Sequence, residues 1–234
     1  MIVFDWPPFE DWAFPLSRVG RLVQRMEPTK DIAITFTLEG ARRMSGLGVH
    51  GLPRRFSPNG DTFDLLDHTF RFHRWMWEHH RTWKPHRLEQ PAYPCIAKFD
   101  RSHGGCGVRL IRTSAEDPTS GLELLMEAVR GRHEYIWHAA ALRGEVLVER
   151  TFRVDLIDDL EIRRGPRPGI VVAPPVDLDV ILRELDYTGF ACANYKMVDG
   201  VPKIFEINPR MGGSLVHAPQ HLAEMLAVVK ERLA

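Results

Sequence analysis

Phe205 to Ser214 reads FEINPRMGGS, an apolar run that ends in a carboxylate, an amide and a guanidinium before two glycines. Side chains at i, i+2 and i+4 of a strand share one face. A strand that persists through Pro209 therefore turns Glu206, Asn208 and Arg210 to one side, and Phe205 and Ile207 to the core. A carboxylate and an amide oxygen at this spacing can both ligate one hard cation, typically Mg2+. Arg210 then offers a planar fork to phosphate oxygens, and Gly212-Gly213 lets backbone N–H groups approach an anion. The plain alternative is a polar strand end facing water before an ordinary glycine turn.

GFACANYKMVDGVPKIFEIN reads as a hairpin turning at Asp199-Gly200. With a three-residue connection centred on Gly200, Asn194 lies opposite Glu206. Asn194 is an isolated polar residue in an apolar run, so burial there demands a partner. A metal shared with Glu206 and Asn208 is one such partner, and a loop backbone group is another.

In PCIAKFDRSHGGCGVRL, Lys98 sits on a strand, and Gly104, Gly105 and Gly107 form a strand-to-strand loop whose N–H groups can wrap phosphates. The GxxxxGK[ST] pattern of a Walker A loop is absent. In GEVLVERTF a strand presents Glu149 and then the backbone of Arg150 to Phe152, an edge able to pair with a flat base.

These three stretches, in this order, resemble the ATP-grasp superfamily, in particular its carboxylate–amine ligases. The resemblance covers about Asp67 to Ser214, with FEINPRMGG its sharpest part. It implies an α+β fold of two lobes holding ATP between them. A reduced N-terminal region over 1–66 precedes an ATP-grasp domain over 67–234, with a glycine-rich lid lobe at about 92–150 and a metal-binding lobe at about 151–234. By the resemblance, Lys98 contacts the α/β-phosphates, and Ser102, His103, Gly104, Gly105 and Gly107 belong to the lid. Glu149, Arg150 and Phe152 bound the adenine pocket, and Glu206, Asn208 and Asn194 hold Mg2+ or Mn2+. Arg210 steadies the transferred phosphoryl group and, with Lys98, forms the catalytic pair.

The reaction implied is ATP-dependent activation of a small-molecule carboxylate as an acyl-phosphate, attack by an amine, and release of ADP and phosphate. A degenerate relative that binds nucleotide without catalysis, and a subunit completed by a partner chain, are the alternatives; a homodimer also stays open. The sequence departs from the family pattern in five places, one being the 57 residues from Glu149 to Glu206, a shorter span than usual. Asn194 stands where most members have Glu or Asp. His68 follows Asp67 where a second lysine is usual, with His68 itself or Arg71 as substitutes. Only Asp155 and Asp158 are candidates for the ribose, and 1–66 is shorter than the usual preceding α/β domain.

The elements that must position these groups are read from periodicity and punctuation. Helices are expected at Ser17–Met26, at His68–Trp83 with Asp67 as cap, at Gly121–Arg130, around His133–Leu142, at Leu178–Leu185 and at about His217–Leu233. Strands are expected at Ile32–Thr37 and along the stretches above, with loop and short strand from Asp155 to Pro175.

Length and composition (234 residues, 44% hydrophobic, 26% charged) fit an ordinary globular domain with lobes. Lys+Arg and Asp+Glu both total 31, so no global charge draws the chain to nucleic acid or anionic lipid. Three cysteines without CxxC spacing suit a reduced, cytoplasmic setting. His68, His73, His79, His80 and His86 lack HExxH spacing and read as core or surface histidines rather than zinc ligands. Arg163, Arg164 and Arg167 in RRGPRPG read as a solvated loop, and the tryptophans of RWMWEHHRTW as core or interface.

Overall fold

The computed structural model describes residues 2–5, 21–22, 33–35, 38, 40, 42, 55–100, 107–116, 123–163 and 169–233. Within the N-terminal region, strands β1 (Ile2–Asp5), β2 (Arg21–Leu22), β3 (Ala33–Thr35) and β4 (Arg55–Phe56) pair in parallel in the order β2-β1-β3-β4. The expected strand in IAITFT is present. Of the expected helix at Ser17–Met26 only Arg21–Leu22 are among the described residues, and they pair with β1 as a strand.

Two helices follow, α1 (Gly60–Asp67) and α2 (Thr69–His79). Asn59 caps α1, its Oδ1 accepting from the Thr62 N–H at 2.8 Å. Asp67 does not cap α2 as expected: it ends α1 and pairs with Arg42 at 2.7 Å. The cap comes from Asp100 instead, whose Oδ1 accepts the Phe70 N–H at 3.0 Å and whose carbonyl accepts the Thr69 N–H at 2.9 Å. Asp100 lies two residues beyond Lys98, so the start of α2 is fastened to the end of the strand that carries that lysine.

A three-stranded antiparallel sheet, β6-β5-β7, is built from β5 (Cys95–Lys98), β6 (Val108–Ile111) and β7 (Leu124–Glu127). Gly107 closes the β5–β6 hairpin, its carbonyl accepting the Phe99 N–H at 3.0 Å. A five-stranded sheet follows in the order β10-β9-β8-β11-β12. It comprises β8 (His133–Leu142), β9 (Glu145–Asp155), β10 (Val171–Ala173), β11 (Gly189–Val198) and β12 (Val201–Asn208). The two sheets thus divide after Glu127, not near 150, since β8 and β9 both belong to the second.

Two helices expected from the sequence are strands. HEYIWHAAAL forms β8, the central strand, with Ile136, Trp137, Ala139, Ala140 and Ala141 all buried. A strand covered on both faces loses its alternation and reads like a buried helix. Within Gly121–Arg130, Leu124–Glu127 is β7, held in register against β5 despite its helix-forming residues.

Cores lie on both faces of the large sheet. One face sets Trp137, Ala139, Ala193 and Tyr195 against Leu66, Phe72 and Met76 of the first two helices and Ile181 and Leu182 of α3 (Asp179–Glu184). The other sets Ala140, Phe152 and Phe190 against Leu222, Met225, Leu226 and Val229 of α4 (Pro219–Leu233). α3 and α4 sit where periodicity places them, shortened by one or two residues at an end, whereas α2 stops four residues before the expected Trp83 and α1 is a helix the periodicity did not announce.

Candidate nucleotide and metal site

The β11–β12 hairpin sets the register of the site in two steps. Val198 pairs with Val201, so the turn is the two residues Asp199 and Gly200, with φ of 50° and 78°. That is the left-handed pair a tight hairpin favours. A two-residue turn alone would put Asn194 opposite Phe205. A bulge between Asn194 and Tyr195 corrects this: Tyr195 faces Ile204, while Asn194 faces Glu206. The expected pair therefore forms, but through a shorter turn plus one extra residue, Phe205. Bulges re-aim side chains in this way. Phe205 is accordingly only partly buried, and Ile204 with Ile207 takes the core positions.

The bulge also frees a backbone carbonyl. The Phe205 carbonyl accepts from Lys98 Nζ at 2.9 Å and from Lys84 Nζ at 3.5 Å, and Lys84 Nζ also donates to the Ile204 carbonyl at 2.7 Å. Both lysines are buried, and Lys84 Nζ lies 4.1 Å from the centroid of the Phe72 ring. Burial lowers the pKa of each; nearby Lys98 lowers Lys84 further, and Glu206 opposes the shift in both. Lys84 is the second ammonium of the site, a place expected for His68 or Arg71. His68 instead lies against Asp100 at 3.4 Å, and Arg71 is exposed. Lys84 follows a short 3-10 turn, Arg81–Trp83, with the next residue tied back by Trp77 Nε1 to the Pro85 carbonyl at 2.9 Å. Nothing in WKPH marks this lysine in the sequence.

Glu206 is the carboxylate at the centre. Its Oε1 accepts from Asn194 Nδ2 at 2.6 Å and from Asn208 Nδ2 at 3.1 Å. Its Oε2 takes no hydrogen bond among the described residues. Burial pushes Glu206 up, but the charges of Lys98 and Arg210 and the two amide hydrogen bonds outweigh it, holding the carboxyl below its usual value. An ionised carboxylate with one open oxygen fits a hard cation. Asn208 Oδ1 accepts from Arg210 Nη2 at a long 3.4 Å, so it would join Glu206 as a ligand only if its amide turned. Arg210 also donates to the Met211 carbonyl at 2.9 Å.

Asn194 does not present an oxygen to Glu206. Its nitrogen faces that carboxylate, and its Oδ1 accepts from Arg163 Nη2 at 3.3 Å. Arg163 is not the solvated residue expected of RRGPRPG. Its side chain is 10% exposed and forms an ion pair at 2.8 Å with Glu134, itself 8% exposed. Glu134 and Arg163 were not legible as site residues; an acid inside the apolar run HEYIW was the one available sign. Arg164 and Arg167 lie outside the described residues.

The adenine assignment fails on topology. β9 is an interior strand: Thr151, Phe152 and Arg153 pair with β10 on one side and β8 on the other, leaving no edge for a base. Glu149 lies opposite Ala139, on the face away from Asn194, and accepts a hydrogen bond from Trp137 Nε1. Burial raises its pKa, and that bond opposes the rise. Phe152 is 1% exposed within the core, and Arg150 is paired with Glu224 of α4 at 3.0 Å. Asp155 is taken by His133 and Arg153, and Asp158 Oδ1 accepts the Leu160 N–H. Ser102, His103, Gly104 and Gly105 lie outside the described residues, as does Cys106.

Behind Arg210 the chain passes close to the sheet. A Cβ on Gly212 would sit 2.3 Å from Cys192 Sγ and 2.5 Å from His138 Cε1, so only glycine fits there. The His138 ring meets Ser214 Oγ at 2.7 Å through Nε2, while Nδ1 is buried without a partner. Burial, then the charges of Arg210 and Arg163, push His138 down to about 3, so the ring is neutral. The other histidines are dispersed: His73 is buried, His79 is exposed and His80 pairs with Glu184.

No family model matches the sequence, and no curated protein matches it. Solved structures do share its fold. Over 94% of this chain and 72% of theirs, a phosphoribosylamine–glycine ligase from Thermotoga maritima superposes with a TM-score of 0.63 at 15% identity. An L-amino acid ligase from Bacillus licheniformis gives 0.60 at 15% identity over 87% of this chain, which spans 56% of that enzyme's length. A D-alanine–D-alanine ligase from Bacillus anthracis gives 0.59 at 12% identity over 99% and 96%. The class defined is the ATP-grasp fold, α+β with three sheets among the described residues, as found in these ligases. No helix among the described residues is long and apolar enough to cross a membrane.

Proposed function

We propose that this chain is an ATP-dependent carboxylate–amine ligase. The observation that carries this reading is the meeting of Lys84 and Lys98 with Glu206, Asn208 and Arg210 at one bulged strand end. Those groups suit a nucleotide triphosphate and a divalent cation, and they include no nucleophile or acid–base triad. Phosphoryl transfer needs little covalent chemistry from a protein, only positioning and charge stabilisation. In this reading a substrate carboxylate oxygen attacks the γ-phosphorus of ATP and ADP leaves. An amine then attacks the acyl-phosphate carbon and phosphate leaves. Lys98 and Lys84 lie against the phosphate chain, and Arg210 faces the group in transit. Glu206 and Asn208 hold Mg2+, which neutralises phosphate charge when bound.

The adenine edge moves to the end of β7. Leu124–Glu127 runs beside Lys98, since Lys98 pairs with Leu124, and it ends in a glutamate followed by Ala128. His86 and Leu88 cover the outer side of β7 only as far as Glu127. The backbone after Glu127, at the end of β7 opposite Cys95, lies beyond that cover.

The solved ligases named above act, by their titles, on L-amino acids, D-alanine and glycine, so amino acids are the first substrates to try. Incubation with MgATP and a panel of amino acids should release ADP in the presence of at least one pair. Nucleotide binding without ADP release on any pair would favour the binding-only alternative. Absence of nucleotide binding would remove the proposal.

A further inference from the structure

Phosphoryl-transfer sites commonly hold two divalent cations about 3.5–4 Å apart, bridging the phosphates between paired acidic ligands. We propose that this site takes one, and that the Arg163 guanidinium stands in the place of the other. The inference rests on the nucleotide reading above and deepens it.

Three observations carry it. The first is the ligand set. Among the described residues the site offers one carboxylate open to a cation, Glu206; Glu134, also nearby, is closed by its ion pair with Arg163. No group of three or more His, Cys, Asp or Glu side chains suited to a metal exists among the described residues.

The second is the orientation of Asn194. Its Oδ1 faces a guanidinium at 3.3 Å and its Nδ2 faces a carboxylate at 2.6 Å. An amide N–H cannot ligate a cation, and turning the amide would set donor against donor at Arg163 while losing the bond to Glu206. Arg163 cannot step aside, because Glu134 would then be a buried unpaired charge, which is strongly unfavourable. Asn208 differs here. Its oxygen faces Arg210, whose other bond goes to a backbone carbonyl and not to a carboxylate, so that amide can turn.

The third is charge balance. Lys84, Lys98, Arg163 and Arg210 face Glu134 and Glu206, so basic side chains outnumber carboxylates there before any metal binds. A triphosphate with one divalent cation answers that excess. A second cation beside Asn194 would face the Arg163 guanidinium across a single amide.

The test counts manganese bound in the presence of the non-hydrolysable analogue β,γ-imido-ATP. Equilibrium dialysis gives Mn2+ per chain, and electron paramagnetic resonance reports whether two ions are spin-coupled. The wild type should retain one Mn2+ with an uncoupled spectrum. The double variant Asn194→Asp, Arg163→Gln, checked for folding by thermal melting, should gain a second, coupled ion. Two coupled ions in the wild type overturn the inference and leave the ligase reading standing. A folded double variant that still holds one ion removes Arg163 from the role. If the wild type retains no Mn2+ with the analogue, the nucleotide reading fails and this inference with it.

Discussion

Single residues in this protein are tuned by what lies a few ångströms away, and His138 is the clearest case. Its ring is buried on the central strand between Arg210 and Arg163 and stays neutral down to about pH 3. An unfolded histidine titrates near 6.5. Above that pH the ring is neutral in both states and adds no pH dependence. As pH falls from 6.5 towards 3, the unfolded chain takes up a proton that the folded chain refuses, so stability drops. Urea unfolding of the wild type should weaken on acidification by an extra ~1 kcal/mol per pH unit over pH 6 to 4, relative to His138→Gln. Parallel profiles would show that this ring does not control the acid limb. The sequence displayed this histidine only as one polar residue in HEYIWHAAAL. Its neighbours, Ser214 and Gly212, come from much later in the chain, Ser214 being 76 residues on. Chemistry of the FEINPR type is legible because strand alternation is local. Lys84, Glu134 and Arg163 were hidden because their roles come from distant packing.

At the scale of elements, the decisive feature is the extra residue in β12. The alternation of VPKIFEIN was readable, and so was the DG turn, yet the bulge at Phe205 was not, since nothing in the local pattern announces it. The turn is one residue shorter than the pattern predicts, and the bulge restores the Asn194–Glu206 pair. Likewise β8 read as a helix because a strand buried on both faces has no polar side to reveal its period. Two glycines, Gly200 before β12 and Gly212 after it, separate two kinds of constraint. Gly212→Ala forces a Cβ into Cys192 and His138, so it should cost roughly 1–3 kcal/mol by overpacking and displace Arg210. Gly200→Ala meets nothing within 4 Å and bears only the strain of φ +78°, about 1 kcal/mol. Denaturant midpoints of the two variants should therefore fall in that order. Gly212→Ala should also weaken nucleotide affinity, whereas Gly200→Ala should leave it intact. Equal effects on affinity would mean that the Gly212 contact does not reach the site.

For the molecule as a whole, the question is what joins the small sheet to the large one. Lys98 ends β5 of the small sheet and donates to the Phe205 carbonyl of the large one, and Asp100 just beyond it caps α2. One short segment thus links the three-stranded sheet, the aromatic helix and the bulged edge of the five-stranded sheet. A triphosphate held by Lys98 and Lys84 on one side and by Glu206 and Arg210 on the other would strengthen that joint. A ligand that binds only the folded, joined state stabilises it by mass action, about 2.7 kcal/mol at a hundred times its Kd. Saturation with magnesium and β,γ-imido-ATP should therefore raise the melting temperature and slow hydrogen exchange in β5 and β7 as well as in β12. Lys98→Met keeps the length of the side chain but removes the bond to Phe205. In that variant, at matched saturation, protection should survive in β12, whose ligands Glu206 and Asn208 remain, and largely vanish from β5 and β7. Undiminished protection of β5 and β7 in Lys98→Met would show that the sheets are joined by other contacts, and that this lysine acts on the phosphates alone.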